Sequence, residues 1–242
     1  MSGLKRFYVN FIPEGSFALE KSQSNHLANV LRMRKGEQFI CNSGDGNDYL
    51  CRITAIDPKC VRAELLSVRK NECDPILQVT LFQAVCRGER MELITQKISE
   101  LGATALVPFV SAFTQFKTVR IDRLRTIAEE STKQCGRSST LDLCEPIGFA
   151  DACERLKEYD RIIFAYEQSH SGGLADALSG VSAQEKIALI VGSEGGFSPA
   201  EAQAFLELGA RTVGLGKRIL RAETAAIALT SAVMCLGGEW EE

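Results

Sequence analysis

Ile187-Ala188-Leu189-Ile190-Val191-Gly192-Ser193-Glu194-Gly195-Gly196-Phe197-Ser198-Pro199-Ala200-Glu201 decides the fold class. Ile187 to Val191 has no polar alternation, so it reads as a strand buried on both faces, as strands of helix-flanked parallel sheets are. The glycine-bearing segment after it opens a helix. Ser198 is placed to accept from the orphan amides as N-cap, Pro199 suits the first helical position, and Glu201 completes a capping box. Ala202, Phe205 and Leu206 supply the apolar face, and Gly209 the stop. A second unit of this kind follows: a strand over Arg211 to Leu215, then Gly216-Lys217-Arg218-Ile219-Leu220-Arg221-Ala222-Glu223-Thr224-Ala225 opening the last helix. Successive units of this build leave backbone amides free at the carboxyl ends of the strands, where open α/β sheets hold their ligands. Neither G-x-x-x-x-G-K-[ST] nor G-x-G-x-x-G occurs here, so phosphate-cradle and dinucleotide readings lose their specific support. A glycine between strand and helix ordinarily only turns the chain. Two such loops, the second crowded by Lys217, Arg218, Arg221 and Glu223, favour a binding site.

Upstream, strands and helices alternate, which predicts a mostly parallel sheet with helices on both sides. Strands are expected at Leu77 to Ala84, Thr104 to Phe109, near Asp142 and at Arg161 to Tyr166, with helices at about Gly88 to Leu101 and Ile121 to Cys135. The last helix, about Ala222 to Leu236, is apolar or small all round and must be covered on all sides, by its own domain or by a second subunit. From Lys5 to Arg69 the pattern changes to short strands, a helical piece around His26 to Leu31, and a hairpin turn at Gly44-Asp45-Gly46-Asn47, the signature of a small β-barrel. The polar stretch Lys70 to Pro75 separates the two, so the domains are expected at 1–72 and 73–242.

Nine cysteines are an odd number, scattered, with no C-x-x-C pair, and the two histidines, His26 and His170, are far apart. Neither a disulfide framework nor a metal centre is expected. Met1 to Arg6 has no apolar run behind its charges, and the longest uncharged stretch, Leu101 to Phe116, contains Pro108. The expectation is a cytosolic protein without secretory leader or membrane span. The net charge of −3 argues against nonspecific binding of nucleic acid. Its distribution is uneven: residues 1–72 carry 11 Lys or Arg against 8 Asp or Glu, net +3, and the remainder 17 against 23, net −6.

Five ordered motifs together resemble the RsmE family of ribosomal RNA methyltransferases across nearly the whole chain. They are Arg6-Phe7-Tyr8-Val9 with His26-Leu27, Val30 to Arg34, Gly36-Glu37 and Gly44-Asp45-Gly46; Gly88 to Ile94 with Gln96, Lys97 and Glu100 to Gly102; Glu129-Glu130 with Gln134 and Arg137; and the two glycine loops. The resemblance implies a PUA-like RNA-binding barrel, a SPOUT-type domain with a deep trefoil knot, S-adenosylmethionine as cofactor, and a homodimer. It also implies methylation of N3 of a uridine, conventionally 1498, in 16S ribosomal RNA, with the assembled 30S subunit as substrate. Ser193 stands where proline is common in the family, and Ala222 where threonine is common.

On that resemblance the cofactor is expected against Phe164, Ala165 and Tyr166 at one strand end, Gly192, Glu194, Gly195 and Gly196 in the first loop, and Gly214, Leu215, Gly216, Ile219 and Leu220 in the second. Glu223, Thr224 and Ala225 follow at the helix start. Glycine is expected where the ligand approaches the main chain closely. Arg221 and Glu194 are the leading candidates for chemistry, although Glu194 reads as well as a carboxylate bound to loop amides, and Glu223 better as an acid complementing the helix dipole. The residues do not identify the general base. Lys5, Arg6, Arg32, Arg34 and Lys35, with Arg137 from the second domain, are the expected phosphate contacts. Two other readings stay open: a SPOUT enzyme acting on another RNA or at ribose 2′-O, and an inert RNA-binding protein.

Overall fold

The computed structural model describes residues 4–57, 59–116, 118–166 and 173–241, and His170 lies outside them. The chain divides into two units: residues 1–74 with 132–139, and residues 75–131 with 140–242.

The first unit is built on a five-stranded sheet, β1 (Lys5–Tyr8), β2 (Ser16–Ala18), β3 (Gln38–Asn42), β4 (Asn47–Ala55) and β5 (Arg62–Lys70), in the order β1-β3-β4-β5-β2. Only β1 and β3 run parallel. The β3–β4 hairpin turns where Gly44 and Gly46 hold φ of +84° and +85°, a conformation that costs most other residues strain. Phe7, Leu27, Phe39, Tyr49 and Ile53 share one core. The helical piece expected around His26 is present and begins further upstream than its sequence indicates: α1 (Lys21–Asn25) passes into a π-helical turn over His26–Val30. β2 is an edge strand of three residues, too short for alternation to reveal.

A buried carboxylate organises this unit. Asp48, 1% exposed, accepts from both Nη atoms of Arg6 at 2.8 and 2.9 Å, from Asn42 at 2.8 Å and from Asn71 at 2.7 Å, and pairs with Arg69 at 3.2 Å. Burial raises its pKa, but the hydrogen bonds from Arg6, Asn71 and Asn42 outweigh burial and hold it below the usual carboxylate range. Removing one partner of a buried ion pair strands the other charge, so Asp48→Ala should destabilise the protein by about 3 kcal/mol at neutral pH. Because the folded pKa is lowered, the contribution of Asp48 is complete above its unfolded value of about 3.9 and is lost as the pH falls through the folded pKa. Thermal melts of the variant and the wild type should therefore converge in acid.

This network corrects two expectations. Arg6 is engaged bidentately with Asp48 and leaves 22% of its side chain exposed, so its first task is to neutralise that carboxylate. Arg137 belongs to the first unit, not the second. It has 2% of its side chain exposed, with Nε 4.0 Å from Asp74. Asp74 also accepts from the amides of Ser138 and Ser139. A guanidinium enclosed in this way does not face solvent phosphate. Arg32, Arg34 and Lys35 are exposed, as is Lys5.

The second unit contains β6 (Gln78–Ala84), α2 (Gly88–Leu101), β7 (Ala105–Val110), β8 (Asp142–Leu143), β9 (Ile147–Gly148), α4 (Phe149–Leu156) and β10 (Arg161–Ala165). It continues with α5 (Leu174–Ala177), β11 (Lys186–Val191), α6 (Pro199–Glu207), β12 (Arg211–Val213) and α7 (Ala222–Leu236), while α3 (Ile121–Cys135) begins here and ends in the first unit. Its seven strands are ordered β12-β10-β11-β6-β7-β8, with β9 also on β7, and every pairing is parallel. One buried cluster lies under α2 and α7, the other under α4 and α6, so both faces are covered, as parallel sheets require. α7 buries Ala226, Leu229, Val233 and Met234 while Leu236 stays 50% exposed. No helix of the described residues is long and apolar enough to cross a membrane.

Candidate functional site

β12, β10 and β11 are neighbours in the sheet, so the segments leaving their carboxyl ends converge. Together they wall a cavity of about 490 Å³ formed by 165–166, 191–197, 213–222, Ala225 and Arg90. These ranges take in the residues expected from sequence with three exceptions. Phe164 is fully buried, stacked on Tyr166 in the aromatic cluster with Phe197 and Phe205, so it shapes the strand end from beneath. Glu223 and Thr224 do not line the cavity. α7 begins at Ala222 behind its N-cap Arg221, and in its first turn Glu223 turns to Arg90 while Thr224 is exposed.

The first loop is fastened at both ends. Ser198 accepts from the Glu201 amide, and Glu201 accepts in return from the amide and hydroxyl of Ser198, each at 2.9 Å, as the capping box requires. At the other end the buried Gln83 donates from Nε2 to the Gly192 and Ala84 carbonyls at 2.9 Å. The glycines answer needs inside the protein: at Gly192 a Cβ would stand 3.2 Å from Gly196 Cα and from the Phe197 ring, and at Gly195 it would stand 2.8 Å from Phe113 Cβ. At Gly195 the 111–114 turn makes a close approach of its own to the main chain.

Arg90, on α2, is the residue that sequence reasoning missed. Its Nη1 lies 2.8 Å from Glu194 and its Nε 3.6 Å from Glu223, so one guanidinium joins the two glycine-loop segments. Its place in Gly88-Glu89-Arg90-Met91 was visible, but its partners lie more than a hundred residues away. Glu194 also accepts from the Arg87 amide at 3.3 Å. Lys217, Arg218 and Arg221 are exposed in the cavity wall, and none pairs with another described residue. Arg221 is the N-cap of α7, whose first turn has no side-chain cap, so helix amides and the arginine present positive charge together. The Ser193 hydroxyl is buried against the cavity with no partner among the described residues. No cysteine lines the cavity. Cys86, 1% exposed, has its thiol pushed up to about 12, by burial first and then by the Glu194 charge.

The RNA methyltransferase domain family matches residues 72–234, and the RNA methyltransferase PUA domain matches residues 19–66. Ribosomal RNA small subunit methyltransferase E of Bacillus subtilis is 29% identical over 228 residues, covering 90% of this chain and 89% of its own. The protein of that name from Mesomycoplasma hyopneumoniae is 30% identical over 229 residues, covering 93% and 96%. A crystal structure of ribosomal RNA small subunit methyltransferase E from Neisseria gonorrhoeae, bound to S-adenosyl methionine, superposes with a TM-score of 0.84 at 30% identity over 97% of this chain and 98% of that one. With a glycine-walled cavity at the carboxyl ends of a parallel sheet and these matches over nearly its whole length, the chain belongs to the ribosomal RNA small subunit methyltransferase E family of RNA methyltransferases.

Proposed function

We propose that this chain, as a cytosolic homodimer, transfers a methyl group from S-adenosylmethionine to N3 of the uridine conventionally numbered 1498 of 16S ribosomal RNA, in the assembled 30S subunit. The observation that carries the reading is the cavity, walled by the main chain of two glycine loops and edged by cations without partners among the described residues. Its volume of about 490 Å³ falls within the roughly 300–1,000 Å³ of small-molecule sites. The buried Ser193 hydroxyl offers a polar ligand a hydrogen bond that no described residue takes. The cofactor-bound relative from Neisseria gonorrhoeae supports the same assignment.

The backbone of 192–196 and 214–220 would hold the cofactor, with Ala165 and Tyr166 at the strand end. When bound, the cofactor supplies a methyl group on a sulfonium, so alignment does most of the catalysis, and positioning of that kind supplies roughly 7–11 kcal/mol. Uracil N3 becomes nucleophilic only as its proton leaves, and the negative charge then spreads onto the ring oxygens. Arg221 and the uncapped amides of α7 are the groups suited to stabilise that charge. Glu194 is committed to Arg90 and the Arg87 amide, so it acts as a positioning residue, locking the first loop to α2. The exposed Lys5, Arg32, Arg34 and Lys35 take RNA phosphates. Ile219, Leu93 and Leu236, respectively 88%, 40% and 50% exposed, offer apolar surface to a second copy.

Methylation at C5 of uracil needs a thiolate to attack the ring, and the chain has none at the cavity: Cys86 stays protonated at neutral pH. The test is transfer of tritiated methyl to small subunits lacking the modification, followed by digestion to nucleosides. The expected product is 3-methyluridine, formed much faster on assembled 30S subunits than on free 16S RNA. A 2′-O-methylated or 5-methylated nucleoside would overturn the assignment, and equal rates on free RNA would overturn the assembled-substrate part.

A further inference from the structure

We propose that Phe113 is a stacking platform for an unpaired base of the RNA substrate beside the methylation site. The inference rests on the RNA methyl-transfer reading. After β7 the chain turns through residues 111–116, where two phenyl rings, Phe113 and Phe116, are 49% and 45% exposed. The other phenylalanines of this unit, from Phe82 to Phe205, are buried or packed into the aromatic cluster. A ring held half in water needs a reason, and here it has a rigid mount. The Ser111 amide donates to Thr114 Oγ1 at 2.9 Å, and the Thr114 amide returns a bond to the Ser111 carbonyl at 3.1 Å. The Ala112 amide donates to Glu201 Oε1 at 2.7 Å. Glu201, 7% exposed, is the carboxylate whose other oxygen closes the α6 capping box. One buried side chain therefore fixes both the cavity loop and the turn that carries Phe113.

The mount also sets Phe113 against the loop that walls the cavity. Phe113 Cβ and carbonyl oxygen would stand 2.8 and 3.2 Å from a Cβ at Gly195, a cavity-lining residue. Lys217, Arg218 and Arg221 stand in the wall of the same cavity, unpaired among the described residues. A half-exposed aromatic ring packed on the loop of a cavity whose wall carries cations unpaired among the described residues suits a partner that alternates flat apolar faces with negative charge, which is the chemistry of a single-stranded nucleic acid.

The experiment compares Phe113→Leu, Phe113→Ala and Phe113→Tyr in methylation of small subunits at saturating cofactor, with cofactor affinity by calorimetry and mass by sedimentation. Loss of one base–aromatic stack weakens binding roughly 5- to 150-fold. Phe113→Leu and Phe113→Ala should therefore raise KM for the RNA substrate by about tenfold or more, with kcat, cofactor affinity and mass unchanged, and Phe113→Tyr should restore wild-type KM. A wild-type KM in Phe113→Leu would overturn the proposal, since the ring would then be acting only as apolar bulk. A parallel loss of cofactor affinity would assign Phe113 to packing of the loop. A fall in mass would assign it to contact with a second copy, and either result overturns stacking. If the wild-type protein itself fails to methylate the subunits, the functional reading falls and this inference with it, an outcome separate from active wild type with indifferent variants.

Discussion

Arg221→Ala should lower kcat about 10²- to 10³-fold, the usual effect of deleting one preorganised donor to a developing anion. Affinity for the cofactor and KM for the ribosomal substrate should move by no more than a few-fold. The reason lies in the position of Arg221. It is the N-cap of α7, exposed in the cavity wall, and its guanidinium is bonded to no described residue, so its removal leaves no buried partner unsatisfied and the fold should be unaffected. Charge that is held by no internal carboxylate is available to the substrate, and it matters most when the uracil carries most negative charge. An interaction realised only in the transition state appears in kcat and kcat/KM equally. Arg221→Lys should recover part of the loss, because a point charge replaces the fork without its geometry. A rise in KM with kcat unchanged would make Arg221 a phosphate contact instead.

Lys217, Arg218 and Arg221 look alike in sequence; their differing places on the loop and at the helix start come from how the loop ends. What is local was legible. The apolar run Ile187–Val191 and the Ser198, Pro199, Glu201 cap are satisfied by residues within a few positions of one another, and the structure has them as read. The alternation of strand and helix likewise fixed the parallel sheet. What depends on distant partners was not. Arg90 matters through Glu194 and Glu223, and Arg6 through Asp48. Arg137 looked like a free cation because Asp74 and the grouping of 132–139 with the first unit are long-range facts. α4, eight residues following the two-residue β9, is too short for its period to stand out.

Gly195→Val should abolish measurable cofactor binding, a loss of at least about 100-fold, while the far-ultraviolet circular dichroism stays native. Sequence alone ascribes that requirement to a ligand lying close against the main chain. The structure gives a different cause: the first carbon of any side chain at this position would stand 2.8 Å from Phe113 Cβ and 3.2 Å from the Phe113 carbonyl oxygen. Interiors at crystal-like density do not absorb such an overlap without moving backbone. Neither neighbour can easily give way. Phe113 sits in a turn held by Ser111, Thr114 and Glu201, and the loop is held by Gln83 and Ser198. The strain therefore falls on residues 193–196, which wall the cavity. The two causes separate in a double-variant test. Gly195→Ala should weaken binding, and adding Phe113→Gly removes the nearer of the two obstructing atoms, leaving a tight but tolerable contact with the carbonyl. Recovery of cofactor affinity in the pair, measured as a coupling between the two sites, is the expected result. If the pair binds no better than Gly195→Ala alone, the methyl group is colliding with the ligand itself, and the reading from sequence was the right one.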